Sequence, residues 1–123
     1  MKGIMKSDQD LLISAYANFN ARAIDAVLEA MDSDVDWPNG MEGGRVHGHS
    51  GVRAYWMRQW GLIDPHVEPV SFKTDEIGRT VVTVHQVVRD LDGTVLLDQM
   101  VEHVYRIEDG LIQSMEIQAS ELR

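Results

Sequence analysis

Hydrophobic residues recur three and four positions apart through the first half of the chain, and two apart through most of the second half. Leu11, Leu12, Ala15, Tyr16 and Phe19 make one helical stripe. Ser7 stands before it as an N-cap, with Asp8 and Asp10 near the positive end of the helix dipole, so the spacing predicts a helix from Ser7 to about Asn20. Ile24, Val27, Leu28 and Met31 repeat the pattern and predict a second helix, ended by Asp32-Ser33-Asp34 and antiparallel to the first. Val35-Asp36-Trp37 reads as a short extended piece stopped by Pro38, and Asn39 to Gly44 as loop. Ser50 is placed to cap a third helix carrying Val52, Tyr55, Trp56, Gln59 and Trp60, closed by Gly61 and Pro65.

From His66 onward, four runs have the two-residue period of strands: Val67 to Lys73, Thr80 to Val88, Val95 to Ile107 and Leu111 to Ala119. Asp92-Gly93 and Asp109-Gly110 separate the later runs as hairpin turns, where glycine accepts a positive φ. Helices followed by an antiparallel meander predict an α+β domain with one core over about residues 8–119. In the third run Leu97, Gln99, Val101, His103, Tyr105 and Ile107 share the more apolar face, which is expected to meet the helices. Met115, Ile117 and Ala119 of the last run join that interior. Gln99 and His103 are then polar groups in an apolar wall.

Composition narrows the function. The length of 123 residues fits a single domain, and a formal charge of −9 opposes binding to nucleic acid or anionic membranes. No cysteine is present, so disulfides, thiolate metal sites and a cysteine nucleophile are excluded, and a reducing, cytoplasmic setting is expected. The apolar runs are too short to span a bilayer. The basic stretch Met1-Lys2-Gly3-Ile4-Met5-Lys6 leads into Ser7-Asp8-Gln9-Asp10 and not into an apolar signal core.

The candidate chemistry centres on His103. An imidazole on an apolar face can move a proton near neutral pH, or donate a hydrogen bond to a carbonyl or enolate oxygen. Equally, it can be a core histidine satisfied by Gln99 or Tyr16. His85 faces His103 only if the turn near Asp90 to Gly93 has the right length, because each added loop residue flips the face. Trp37, Trp56, Trp60, Tyr16 and Tyr105 can enclose a flat apolar ligand, or simply fill the core. His47-Gly48-His49 offers only two local imidazoles, even with Asp36 and His66 nearby, where a metal needs three or four converging ligands. Ser50 and Ser71 lack the elbow motif of a serine triad. Neither a metal nor an organic cofactor is expected. Met100, Val104, Val81 and Val87 make an outer sheet face apolar enough to suggest homodimerisation.

The phrases Ala15-Tyr16-Ala17-Asn18-Phe19-Asn20-Ala21, Val35-Asp36-Trp37-Pro38, Gly48-His49-Ser50-Gly51-Val52-Arg53 and Val104-Tyr105-Arg106-Ile107-Glu108-Asp109-Gly110-Leu111-Ile112 resemble the nuclear transport factor 2-like superfamily, in its SnoaL-like branch. The resemblance runs from about Asp8 to Ala119. It implies a cone-shaped fold, with a curved sheet wrapped around the N-terminal helices and a cavity open at one end, and dimerisation through the outer sheet face. Set beside ketosteroid isomerases, Trp37 occupies the place of the proton-shuttling aspartate, which argues against isomerase chemistry of that kind. Their second acid falls at or beside His103, and their pocket tyrosine within one residue of Tyr16. SnoaL-like cyclases place an acid/base residue on the same strand, which again points to His103. If His85 faces inward, the pair is similar to the two histidines of scytalone dehydratase. The Asp, Arg and Asp set of limonene epoxide hydrolase is not recognisable. Together these features predict a pocket for a small hydrophobic ligand lined by Tyr16, Trp37, Trp56, Trp60, His85, Gln99, Val101, His103, Tyr105 and Met115, with His103 and Tyr16 as the catalytic candidates.

Overall fold

The structure is a computed structural model that describes residues 7–119; the leader question at Met1 to Lys6 lies outside the described residues. Ser7 caps α1 (Asp8–Asn20), its Oγ accepting from the Asp10 amide at 3.1 Å, and Leu12 and Tyr16 face the core. At Arg22 the chain turns with φ of +63°, a conformation that costs a non-glycine residue about 1 kcal/mol or more. Four contacts offset that cost: the Arg22 guanidinium pairs with Asp64, donates to the carbonyls of Phe19 and Pro65, and lies 5.0 Å from the Trp60 ring centroid.

α2 (Ile24–Glu29) buries Val27 and Leu28 and ends earlier than the apolar spacing predicted. Met31 belongs instead to β1 (Met31–Pro38), because the Ala30 carbonyl accepts from the Ile112 amide at 2.8 Å and starts a sheet ladder. The Asp32-Ser33-Asp34 stretch read as a helix stop therefore lies inside a strand. A strand absent from the sequence reading, β2 (Arg45–His47), pairs antiparallel with β1. α3 (Gly48–Trp60) starts before the predicted Ser50 cap, with no side-chain cap at all. Gly48 makes the sharp entry possible: its φ is +72°, and a Cβ there would sit 3.2 Å from the Ser33 carbonyl oxygen.

Four long strands follow: β3 (Ile63–Thr74), β4 (Thr80–Asp90), β5 (Val95–Glu108) and β6 (Leu111–Ala119). Pro65, expected to close the third helix, is inside β3. That strand is the sheet edge, where a missing amide proton need not break a ladder. The sheet order is β2-β1-β6-β5-β4-β3, antiparallel throughout except where β1 runs parallel to β6. Asp109 and Gly110 both take positive φ and close the β5–β6 hairpin between Glu108 and Leu111. The α+β class and the curved-sheet architecture are as expected, with α1 to α3 packed on the inner face.

Asn20 anchors α1 to β3. Its side-chain amide donates to the Val67 carbonyl at 2.7 Å and accepts from the Val67 amide at 3.0 Å, the pattern of a neighbouring strand supplied by one residue. Asn20→Ala removes both bonds and leaves the backbone of buried Val67 unpaired. We expect a loss of about 1–3 kcal/mol, read as a lower urea midpoint at unchanged slope. An unshifted midpoint would show that α1 is held by apolar packing alone.

Candidate functional site

The inner face of β5 carries His103 into the core, where it is only 6% exposed. Tyr16, projecting from α1, brings its hydroxyl 2.8 Å from His103 Nδ1, and Tyr105 donates to the Tyr16 hydroxyl at 2.8 Å. The donor sense of this chain follows from counting protons. Tyr16 Oη already accepts from Tyr105, so its own proton goes to its other partner, Nδ1, and the neutral imidazole keeps its proton on Nε2. Nε2 has no protein partner, and it is not sealed either. Trp60 Nε1 is the one sealed side-chain polar atom without a partner among the described residues. His103 thus ends a three-member chain with an N–H available to the cavity.

Burial sets the protonation of all three groups. It pushes the His103 imidazole down to about 4, so the ring is neutral at physiological pH. Burial also drives the Tyr16 hydroxyl well above its ordinary range, reinforced by Tyr105 beside it. The Tyr105 hydroxyl moves the same way through burial, against the smaller opposing pull of its bond to Tyr16. The arrangement holds no charge and offers hydrogen bonds only.

These residues form part of the wall of a cavity of about 580 Å³ between the helices and the sheet. Trp37 from β1 and Trp56 from α3 meet edge-on, with centroids 5.7 Å apart, and both line the cavity with Phe19 and Met115. Trp60 does not line it. It fills the space behind the wall, 5.4 Å from Phe19 and 5.8 Å from Trp56, with Arg22 across its other side. Val101 also sits in the core and not on the cavity wall.

The inward expectation for His85 is corrected by the register. The β4–β5 connection holds four residues, Leu91 to Thr94, with a shift beside Val88 and Arg89, so His85 pairs with Met100 on the outer face. There its Nε2 lies 2.7 Å from the Asp98 carboxylate. Gln86, its neighbour, faces inward in its place. Gln86 and Gln99 sit opposite each other at the rim, joined at 3.2 Å. Of the outer-face residues, Val81 and Val104 are already buried within the chain, and Val87 and Met100 are half-buried.

Several wall residues were not singled out from sequence. Tyr55 is one: its hydroxyl accepts from Gln59 Nε2 at 3.1 Å and from the Met41 amide at 3.3 Å, and burial raises it despite the amide. Arg45 is another, and its guanidinium donates to Asp36 at 2.7 Å and to the Met115 carbonyl at 2.6 Å. Only the presence of Tyr55 in the α3 stripe signalled its position; Arg45 belongs to the strand that the sequence did not reveal. Among the described residues no three His, Asp or Glu side chains converge as a metal site. His47 approaches Asp36 at 3.3 Å on the surface, whereas His49 donates to the Met31 carbonyl at 2.9 Å. Ser50 is exposed in the first turn of α3, and Ser71 on β3. No helix among the described residues is long and apolar enough to cross a membrane.

The SnoaL-like domain model matches residues 13–115. No curated protein sequence matches the chain. Among solved structures, TerC co-crystallised with polyporic acid is 27% identical with a TM-score of 0.79, covering 92% of this chain and 91% of its own. A protein of unknown function with the nuclear transport factor 2-like fold from Burkholderia pseudomallei is 28% identical with a TM-score of 0.80, covering 94% and 92%. A candidate polyketide cyclase from Sinorhizobium meliloti shares the fold at 19% identity and a TM-score of 0.75, covering 91% and 99%. With the family model spanning all but the chain's two ends, and a TM-score of 0.80 to a structure of that fold, the chain belongs to the SnoaL-like family of the nuclear transport factor 2-like fold.

Proposed function

We propose that this protein holds a small, mostly apolar carbonyl compound in its cavity and moves a proton within it, as in a cyclisation, isomerisation or dehydration, without a metal or organic cofactor. One observation carries the reading: the Tyr105–Tyr16–His103 chain ends on an imidazole N–H at the cavity wall. A substrate carbonyl oxygen placed there accepts that hydrogen bond, and the bond strengthens as negative charge develops on the oxygen. One such donor in a dry site is worth about 100-fold to 1000-fold in rate. Tyr16 fixes the ring and its tautomer while Trp37, Trp56 and Tyr105 enclose the apolar body. TerC, crystallised with polyporic acid, supports an organic ligand in such a cavity.

A second reading, binding without turnover, is favoured by the same wall. An imidazole held down to about 4 is a weak base. Glu116 is the one acidic residue lining the cavity among the described residues, and its carboxylate lies 3.6 Å from Arg79 on the outer face. Pairing of two copies across that outer face belongs to the proposal as well.

Four measurements test it. In a thermal-shift screen of hydrophobic ketones and polyketide-like aromatics, a ligand at 100 times its Kd raises stability by about 2.7 kcal/mol. His103→Phe, which keeps a ring of similar size but has no N–H to donate, is expected to keep binding and lose about 100-fold or more in turnover. Unchanged turnover in that variant removes His103 from the mechanism, and a wild-type protein that binds without turnover leaves the second reading. The His103 ring also predicts a pH dependence of stability. The unfolded imidazole takes its proton near 6.5 and the folded one only at about 4. The unfolded state therefore binds more protons across that window, and stability is full above about 6.5 and falls by about 3 kcal/mol as pH drops to 4. Urea titrations of His103→Gln should lack this part of the slope; equal slopes in both proteins contradict the neutral, buried imidazole. Sedimentation of the wild type as a monomer at micromolar concentration would remove the dimer.

A further inference from the structure

We infer that the Gln86–Gln99 amide pair at the rim is the second recognition point of the cavity, and that it selects ligands bearing a neutral polar group at the end remote from His103; this rests on the ligand-holding reading above. Both glutamines lie on the cavity wall, one from β4 and one from β5, directly opposite in the ladder. Their inward neighbours along the two strands are apolar: Val84, Val88, Leu97 and Val101. On β5, Gln99 is four residues from His103 on the same face, roughly 13 Å along the strand. A ligand that reaches both must be elongated, apolar in its middle and polar at each end.

The chemistry of the pair explains why it discriminates. Each amide has donors and acceptors, and the one mutual bond, from Gln99 Nε2 to Gln86 Oε1 at 3.2 Å, leaves most of them free. At an open rim, water satisfies the remainder. An occupant that covers the rim strips that water. An apolar end then leaves amide groups unpaired, whereas a hydroxyl, carbonyl or amide end replaces the lost bonds. A site built to hydrogen-bond a polar group rejects the analogue lacking it more strongly than an apolar pocket rejects an added hydroxyl. The mutual bond holds the two amides in place before the ligand arrives. Being uncharged, they read a neutral group in either donor sense.

The experiment uses a matched pair of ketones, p-acetylbiphenyl and p-acetyl-p′-hydroxybiphenyl, whose oxygens lie at one end and at both ends. Affinities are measured by tryptophan fluorescence for the wild type, for Gln99→Leu and for Gln86→Leu/Gln99→Leu. The wild type is expected to prefer the hydroxy compound by about fivefold to tenfold, as for one to two neutral hydrogen bonds at a partly wet site. The double variant should lose that preference while binding the parent ketone at least as well, and Gln99→Leu should lose part of it. Gln99 is exposed and outside the packed core, so the single variant keeps the fold. Equal affinities in the wild type, or a preference that survives in the double variant, overturn the inference while leaving the cavity reading intact. If neither ketone binds the wild type, the ligand-holding reading fails and this inference with it.

Discussion

A single hydrogen bond between residues 87 positions apart, from the Tyr16 hydroxyl to His103 Nδ1, governs the interior. It joins the first helix to the middle of the sheet, and it gives an imidazole that burial keeps neutral its one partner within the protein. Without it, β5 would carry into an apolar wall a polar ring with no protein partner at either nitrogen, at a cost of about 1–3 kcal/mol. With it, the ring is oriented, its tautomer is set, and its second nitrogen is left for whatever enters the cavity. Tyr105 extends the chain by one member, so the two tyrosines order each other's protons.

The surrounding packing keeps that bond in place while the cavity stays open. Asn20 and Arg22 pin the end of α1 to β3, so Tyr16 cannot drift from β5. Trp60, clasped between Phe19, Trp56 and Arg22, backs the wall without entering it. Rigid aromatic rings meeting edge-on leave space between them that flexible side chains would fill. The conformational strain at Arg22 is thus tied to the geometry of the site and not only to the turn.

Local patterns revealed most of the fold because they have local causes. The Ser7 cap, the α1 stripe ending at Asn20, the start of β4 at Thr80, the start of β5 at Val95 and both bounds of β6 follow from neighbours in sequence. What the sequence hid depends on distant partners. Met31 has helical spacing after Val27 and Leu28, yet Ile112 across the sheet recruits its strand. β2 is three residues long and exists only because β1 pairs with it. His85 was undecided for a geometric reason, since a four-residue connection with a neighbouring irregularity determines its face. The inward face of β5 was legible because its alternation is long and unbroken, and it places His103, Tyr105 and Gln99 in the wall. Tyr55 and Arg45 were not, because a stripe position and an unseen strand say nothing of which atoms reach the cavity.

Charge neutrality is the constraint that links fold and chemistry here. The chain is strongly acidic, yet the buried polar groups joined at His103 in the cavity wall, two hydroxyls and an imidazole, are all uncharged. A site of that kind acts by aiming hydrogen bonds, and it does so only if His103 is neutral with its proton on Nε2. Nitrogen NMR of the protein with labelled histidine tests this directly. The account predicts that one imidazole, assigned by its loss in His103→Gln, stays neutral from pH 8 to about 5 with the proton on Nε2 throughout. An imidazole that titrates near 6.5, or that carries its proton on Nδ1, would contradict it.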